Sequence, residues 1–280
     1  MINYTPPPTV KSFIKHHLKG ELFSNWIIGP VGSGKTTGLF FKLAYMASLQ
    51  EPSADGIRRT RAVVVRNTMP QLKDTTIASW NYWFKDGVAG KWNATDKIFT
   101  LRFSDVECEV LFRALDTPDD ISRVLSLEVT FAIFDEFVQI PKEIVEAVSG
   151  RCGRWQPDKS VPVTNWGMWG ASNPGNEDDW WYTHLARCVQ MSQWSQLEAE
   201  TAAIMADMML AGEGNAQITN QFYFEQPSGF SEQAENLEYL PGGRGYYANL
   251  VKGKSEHWIE QFIKGRWGFS LVGTPVLNSF

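Results

Sequence analysis

The chain has 280 residues, 43% of them hydrophobic and 20% charged, enough to close a sizeable core without disulfides or structural metals. That excludes a disordered segment or a stapled mini-protein. The 26 Lys and Arg stand against 31 Asp and Glu, a formal charge of −5, which excludes a histone-like wrapper but leaves room for a motor that touches phosphates through a local set of cations.

In chain order, residues 9–18 read as a short helix and residues 25–28 as a brief apolar strand running into a glycine-rich turn. Leu39, Leu43 and Met46 give residues 35–48 a helical period, and the β-branched run 61–66 is a buried strand, so the opening is β-α-β and the expected sheet is parallel. Thr68, Pro70 and Gln71 form a capping-box start for a helix over 68–84. Residues 98–103 and 108–115 alternate like two antiparallel strands, and 117–120 opens a short helix carrying Arg123. A buried strand is predicted over 130–134, a helix over 141–148 and a strand over 166–171. Beyond Asn173, helices are predicted over 178–189, 196–210 and 255–264, with a strand at 218–225 and a loop over 227–245. The expected division is a core over 1–189, a small helical subdomain over 190–268 and the start of a linker over 269–280.

The 12 tryptophans, several beside glycine as in Trp166-Gly167, Trp169-Gly170 and Trp267-Gly268, are expected as wedges in the core rather than as base-stacking platforms. Cys108, Cys152 and Cys188 form no Cys-x-x-Cys pair, which fits a reducing compartment. The four histidines, His16, His17, His184 and His257, show no metal-ligand spacing with cysteine. No run approaches the roughly 18 apolar residues of a membrane span.

Gly29-Pro30-Val31-Gly32-Ser33-Gly34-Lys35-Thr36 matches the P-loop pattern. Its glycines let backbone N–H groups turn toward phosphate oxygens, Lys35 reaches the outer phosphates and Thr36 is a Mg²⁺ ligand. Ser33 and Thr37 complete the expected nucleotide contacts. Phe131 to Phe134 is an apolar strand ending in Asp135-Glu136, the form of a Walker B element. Asp135 would hold the metal's shell, and Glu136 would orient and deprotonate the attacking water. No Asn-Lys-x-Asp guanine signature occurs. Ser172-Asn173-Pro174 follows the next strand, where it is either a hydrolysis sensor or a plain Asn-Pro turn.

Together the P-loop, the Ile-Phe-Asp-Glu strand end, the Ala-Ser-Asn-Pro-Gly-Asn segment and the closing Gly-Arg-Trp-Gly resemble the ATPase domain of the large terminase subunit of tailed bacteriophages. The resemblance implies an α/β P-loop NTPase fold of the ASCE type with a mostly parallel central sheet, ATP and Mg²⁺ as ligands, and Ser172 and Asn173 as the coupling motif. It also implies double-stranded DNA, a portal protein and a small terminase subunit as partners, self-association into a ring on the procapsid, and the host cell cytoplasm as the place of work. Many relatives carry an arginine inside the P-loop, where this chain has Pro30, Val31 and Ser33. Arg123 is the candidate substitute, acting in trans, or else a plain surface arginine on a capped helix, with Arg151 and Arg154 as reserves. Adenine contacts stay open, with Tyr4 as a guess. The rival readings are a helicase-like or other P-loop motor, and an adaptor that binds ATP without hydrolysing it. Past Asp179 the sequence holds one aspartate, Asp207, so the clustered carboxylates of a two-metal nuclease are not expected in this chain. The basic cluster Arg58-Arg59-Thr60-Arg61 is expected as a solvated loop before a strand rather than as a DNA contact.

Overall fold

The computed structural model describes residues 4–115, 120–191 and 218–269. A sheet of nine strands runs through it in the order β3-β4-β5-β2-β6-β7-β1-β9-β8. The strands are β1 (Leu22–Ile28), β2 (Arg58–Arg66), β3 (Gly90–Asn93), β4 (Ile98–Phe103), β5 (Val106–Ala114), β6 (Phe131–Asp135), β7 (Trp166–Ser172), β8 (Cys188–Gln190) and β9 (Ile218–Glu225). Only the β3/β4 and β4/β5 pairs are antiparallel; the other neighbours are parallel. The central strands are apolar on both faces because helices cover both faces.

One face carries α1 (Pro8–Lys15), α2 (Lys35–Ser48) and α3, in which Met69–Gln71, a π-helical stretch Leu72–Ile77 and Ala78–Trp83 follow without a break. Val10, Phe13, Leu39, Phe40, Leu43 and Trp80 seal that side. Thr68 caps α3 by accepting from the Gln71 N–H, as its spacing predicts. The opposite face carries α4 (Asp120–Leu125), α5 (Lys142–Ser149) and α6 (Trp180–Ala186), with Ile144, Val148, Trp181 and Leu185 packed on Trp26, Val63 and Phe134. α7 (Gly245–Leu250) and α8 (Glu256–Phe262) close the described chain.

Trp26, Trp80, Trp169 and Trp181 are fully buried, the wedge role expected of them. The glycines beside tryptophan in β7 have a steric reason. A Cβ on Gly167 would lie 2.6 Å from the Phe23 ring, and one on Gly170 would lie 2.8 Å from Trp26 and 3.0 Å from the Phe134 carbonyl, so these large rings cross the sheet only where a side chain is missing.

Three expectations are corrected. The strand 218–225, assigned to the helical subdomain, pairs in parallel with β1 from Ser24↔Gln221 to Ile28↔Glu225 and so belongs to the central sheet. Its alternating pattern suits either setting. The helix predicted over 178–189 stops at Ala186, because buried Cys188 and Val189 are taken up by the β8/β9 ladder. Arg58 and Arg59 lie within β2 and not in a loop before it, extending the strand that starts at Arg61 in the sequence reading: Arg58 pairs with Asp105 at 2.8 Å, Arg59 with Asp55 at 2.5 Å and Arg61 with Glu109 at 2.6 Å. The helix expected over 196–210, the turn at 117–119 and the linker beyond 269 lie outside the described residues.

Candidate nucleotide site

The parallel strands β1, β6 and β7 end side by side, and each delivers one of the sequence motifs. β1 ends at Ile28 and the P-loop turns over Gly32 (φ +75°) and Gly34 (φ +85°) before α2 begins at Lys35. Both angles lie in the left-handed region that glycine enters without steric cost. Lys35 is 6% exposed and donates to the carbonyls of Gly29 (2.8 Å) and Pro30 (2.6 Å). Burial pushes its ammonium down to about 8, against the pull of Glu136 and Asp135. Ser33 Oγ sits 2.7 Å from both the Pro30 carbonyl and Gln226 Oε1, and Asn236 donates to the Gly32 carbonyl at 2.7 Å. The outer side of the loop is thus held by a segment some 200 residues away in sequence.

Walker B follows the same logic. Asp135, at the end of β6, is 3% exposed; its Oδ1 accepts from Thr36 Oγ1 at 3.2 Å and its Oδ2 from Thr76 Oγ1 at 2.5 Å. Burial and the Glu136 charge raise its pKa above the usual carboxylate range, while Arg66 and the two threonine hydroxyls oppose that rise. Thr36 Oγ1 and Asp135 Oδ1 are the hydroxyl and carboxylate oxygens that suit a hard divalent cation retaining most of its water, so the donor set fits Mg²⁺.

Glu136 adopts a left-handed conformation (φ +55°, ψ +57°), uncommon for a residue with a side chain and typical of functional positions. Its Oε2 accepts from Ser172 Oγ at 2.9 Å and from the Asn173 N–H at 3.3 Å. Asn173 Nδ2 in turn donates to the Gly29 carbonyl at 2.8 Å. Ser172-Asn173 therefore bridges Glu136 and the first P-loop residue.

The other predicted residues fall elsewhere. Thr37 Oγ1 accepts from Trp83 Nε1 at 3.2 Å. Arg123 is a surface residue, its side chain 78% exposed, and donates to Asp120 at 2.8 Å. Arg154 is exposed, and Arg151 Nε is buried without a hydrogen-bond partner. Tyr4 stacks on Phe41 with centroids 4.6 Å apart and meets Trp83 edge-on. Two residues beside Asp135 were not singled out from the sequence. Thr76 is brought in by the π-helical stretch, and Arg66 by its place at the end of β2, level with Asp135 since Val65 pairs with Phe134. An arginine closing a buried apolar strand was the available signal.

The closing Gly-Arg-Trp-Gly docks beside the Ser-Asn-Pro-Gly segment: the Gly268 N–H donates to the Gly175 carbonyl and the Glu177 N–H to the Gly268 carbonyl. Gln261 Nε2 donates to the carbonyls of Pro174 (2.7 Å) and Gly175 (3.0 Å).

No protein-family model matches the sequence, and no curated protein matches it either. Solved structures do. The large terminase of a thermophilic bacteriophage superposes with a TM-score of 0.64 at 12% identity, over 95% of this chain and 54% of that one. That protein has also been solved with ADP and with ATP-gamma-S. The large terminase ATPase domain of Thermus phage P74-26 gives 0.54 at 11% identity, over 94% of this chain and 95% of the domain. The HK97 bacteriophage large terminase gives 0.53 at 12% identity, over 94% and 51%. The chain spans about half the length of the first and last of these three proteins. With the P-loop, Asp135-Glu136 and the Ser-Asn segment meeting at the ends of the interior strands β1, β6 and β7, its fold is that of a phage large terminase ATPase domain.

Proposed function

We propose that the chain is an ATP-hydrolysing motor domain that drives double-stranded viral DNA into a procapsid. The observation that carries this reading is the hydrogen-bonded link among three motifs: Glu136 to Ser172 and Asn173, and Asn173 to Gly29. A module that only bound nucleotide would have no use for a carboxylate held at the end of the Walker B strand by two donors, one of which also touches the P-loop.

Lys35 and the P-loop N–H groups of Gly32, Ser33, Gly34, Lys35 and Thr36 cradle the phosphates. Thr36 and Asp135 would hold Mg²⁺, whose charge offsets that of the phosphate oxygens. Glu136 takes a proton from the attacking water, and Ser172 and Asn173 orient that carboxylate and register its change of charge. Arg123, exposed on the surface, would serve a neighbouring subunit in a ring rather than its own site. DNA, a portal protein and a small terminase subunit are the partners of this activity, in the host cytoplasm. Among the described residues no helix is long and apolar enough to cross a membrane.

Phosphate release from ATP by the purified chain, with and without EDTA, tests the chemistry. Nuclease-protected DNA recovered from procapsids supplied with the motor tests the translocation. Metal-dependent turnover abolished by Lys35→Ala is expected, and absence of turnover in an assembled, packaging-competent motor would overturn the reading.

A further inference from the structure

The described interior holds a buried cation whose hydrogen-bonding capacity is largely unused. Arg66 is 7% exposed, its Nε and Nη1 have no hydrogen-bond partner, and its one ion pair is long, 3.9 Å from Nη1 to Asp135 Oδ2. The contrast with Lys42 is instructive. That lysine is 0% exposed and donates to the carbonyls of Phe13, Ile14 and His16 at the end of α1, so it is satisfied by the fold. Arg66 is not, and a buried guanidinium with idle donors is costly unless something anionic completes it.

Its position says what that anion is. Arg66 ends β2 next to the end of β6, and the Asp135 carboxylate separates it from the P-loop: Oδ2 faces Arg66 and Thr76, while Oδ1 faces Thr36 at the start of α2. The outermost phosphate of a P-loop nucleotide lies on this side of the cradle, beyond the lysine and the metal-binding hydroxyl. The P-loop itself holds no arginine. Guanidinium is the group suited to bidentate contact with phosphate oxygens.

We propose that Arg66 is the γ-phosphate contact supplied within the subunit, recognising a nucleoside triphosphate over a diphosphate. This rests on the nucleotide reading above and goes beyond it, since it assigns triphosphate selectivity to a residue outside the P-loop and Walker B. Arg123 has no part in it.

The experiment measures equilibrium binding of ADP and of ATP-gamma-S to the wild-type chain, Arg66→Ala, Arg66→Lys and Arg102→Ala, at dilutions where sedimentation shows monomer, with Mg²⁺ and again with EDTA. Arg66→Ala should weaken ATP-gamma-S about ten- to a hundredfold, the scale of lost charge-assisted hydrogen bonds, while ADP changes less than about threefold. Arg66→Lys should recover part of the loss, and Arg102→Ala, at an exposed arginine paired with Glu107, should bind both nucleotides like the wild type. The loss must persist in EDTA, because an arginine that merely steadied Asp135 would matter only through the metal. Equal weakening of ADP and ATP-gamma-S, no weakening, or a loss confined to Mg²⁺ overturns the proposal. Thermal unfolding and ADP binding report folding. If Arg66→Ala does not fold, Arg66→Lys decides: a selective drop for ATP-gamma-S supports the contact, and unchanged selectivity rejects it. A wild-type chain that binds neither nucleotide instead removes the nucleotide reading itself.

Discussion

Removing the Ser172 hydroxyl isolates the hold on Glu136, the proposed base. In Ser172→Ala the Glu136 carboxylate loses the donor at 2.9 Å and keeps only the Asn173 N–H at 3.3 Å. Ser172 is 2% exposed, so little solvent is at hand to replace the hydroxyl. A hydrogen bond to a charged group is worth about 1.5–3 kcal/mol, and about 1.4 kcal/mol corresponds to tenfold in rate. If that bond holds the carboxylate in line with the water, kcat should fall about 10- to 150-fold while ATP affinity stays within about threefold. Single-turnover hydrolysis at saturating ATP and Mg²⁺ gives the first quantity, and equilibrium binding of ATP-gamma-S gives the second. A double-mutant cycle then separates position from stability: in the Glu136→Gln background, where no base remains to be positioned, adding Ser172→Ala should cost less than about threefold. If the serine costs as much in that background as in the wild type, it acts on something other than Glu136 and the coupling is wrongly assigned.

Other outcomes follow from the same geometry. Glu136→Gln should bind ATP but hydrolyse it about 10²- to 10⁴-fold more slowly, whereas Lys35→Ala should lose binding; near-normal turnover by Glu136→Gln would falsify the base assignment. Gly170→Ala puts a methyl 2.8 Å from Trp26 and 3.0 Å from the Phe134 carbonyl, an overpacking that costs about 1–3 kcal/mol, so a melting temperature equal to wild type would contradict the packing. His16 has its proton affinity lowered from the ordinary 6.5 to about 3, first by burial, then by the Lys42 charge. Its contribution to stability is therefore complete above pH 6.5 and is lost as the pH falls toward 3, because the unfolded chain takes the proton first. Denaturant unfolding at about pH 7.5 and about pH 5, on either side of the unfolded value, should show a smaller pH effect in His16→Phe, which keeps a ring against Phe222, and an undiminished effect refutes the role.

What could be read from the sequence was what backbone conformation and chain neighbourhood impose. A phosphate cradle needs left-handed residues at fixed places, so Gly32 and Gly34 mark themselves; Asp135 and Glu136 are adjacent, so the strand that presents one presents the other. Cross-strand relations are different. Arg59 and Arg61 look like a basic surface until β5 is laid beside β2, when they fall opposite Glu107 and Glu109 and become sheet-stabilising pairs. β9 was assigned to the helical subdomain because an alternating strand carries no mark of the sheet it joins. Thr76 was missed because an α-helical count gives no hint of the π-helical stretch in which it lies, and that stretch brings its hydroxyl to Asp135.

The long-range bonds also change what the motifs mean. The P-loop was read as a strand-to-helix turn with its own chemistry, yet the Val31 N–H donates to the Phe262 carbonyl at 2.9 Å and the Val31 carbonyl accepts from Tyr247 Oη at 3.1 Å. Gln261, one residue before Phe262, holds the carbonyls of Pro174 and Gly175 just past the Ser-Asn segment. α8 is therefore bonded both to the P-loop and to the segment that follows Ser172-Asn173. A shift of the P-loop relative to β7 must either carry α8 with it or break these hydrogen bonds. The P-loop, the segment after β7 and α8 are thus tied into one hydrogen-bonded unit by residues more than 80 positions apart in the chain, although each motif reads in sequence as a local turn or helix.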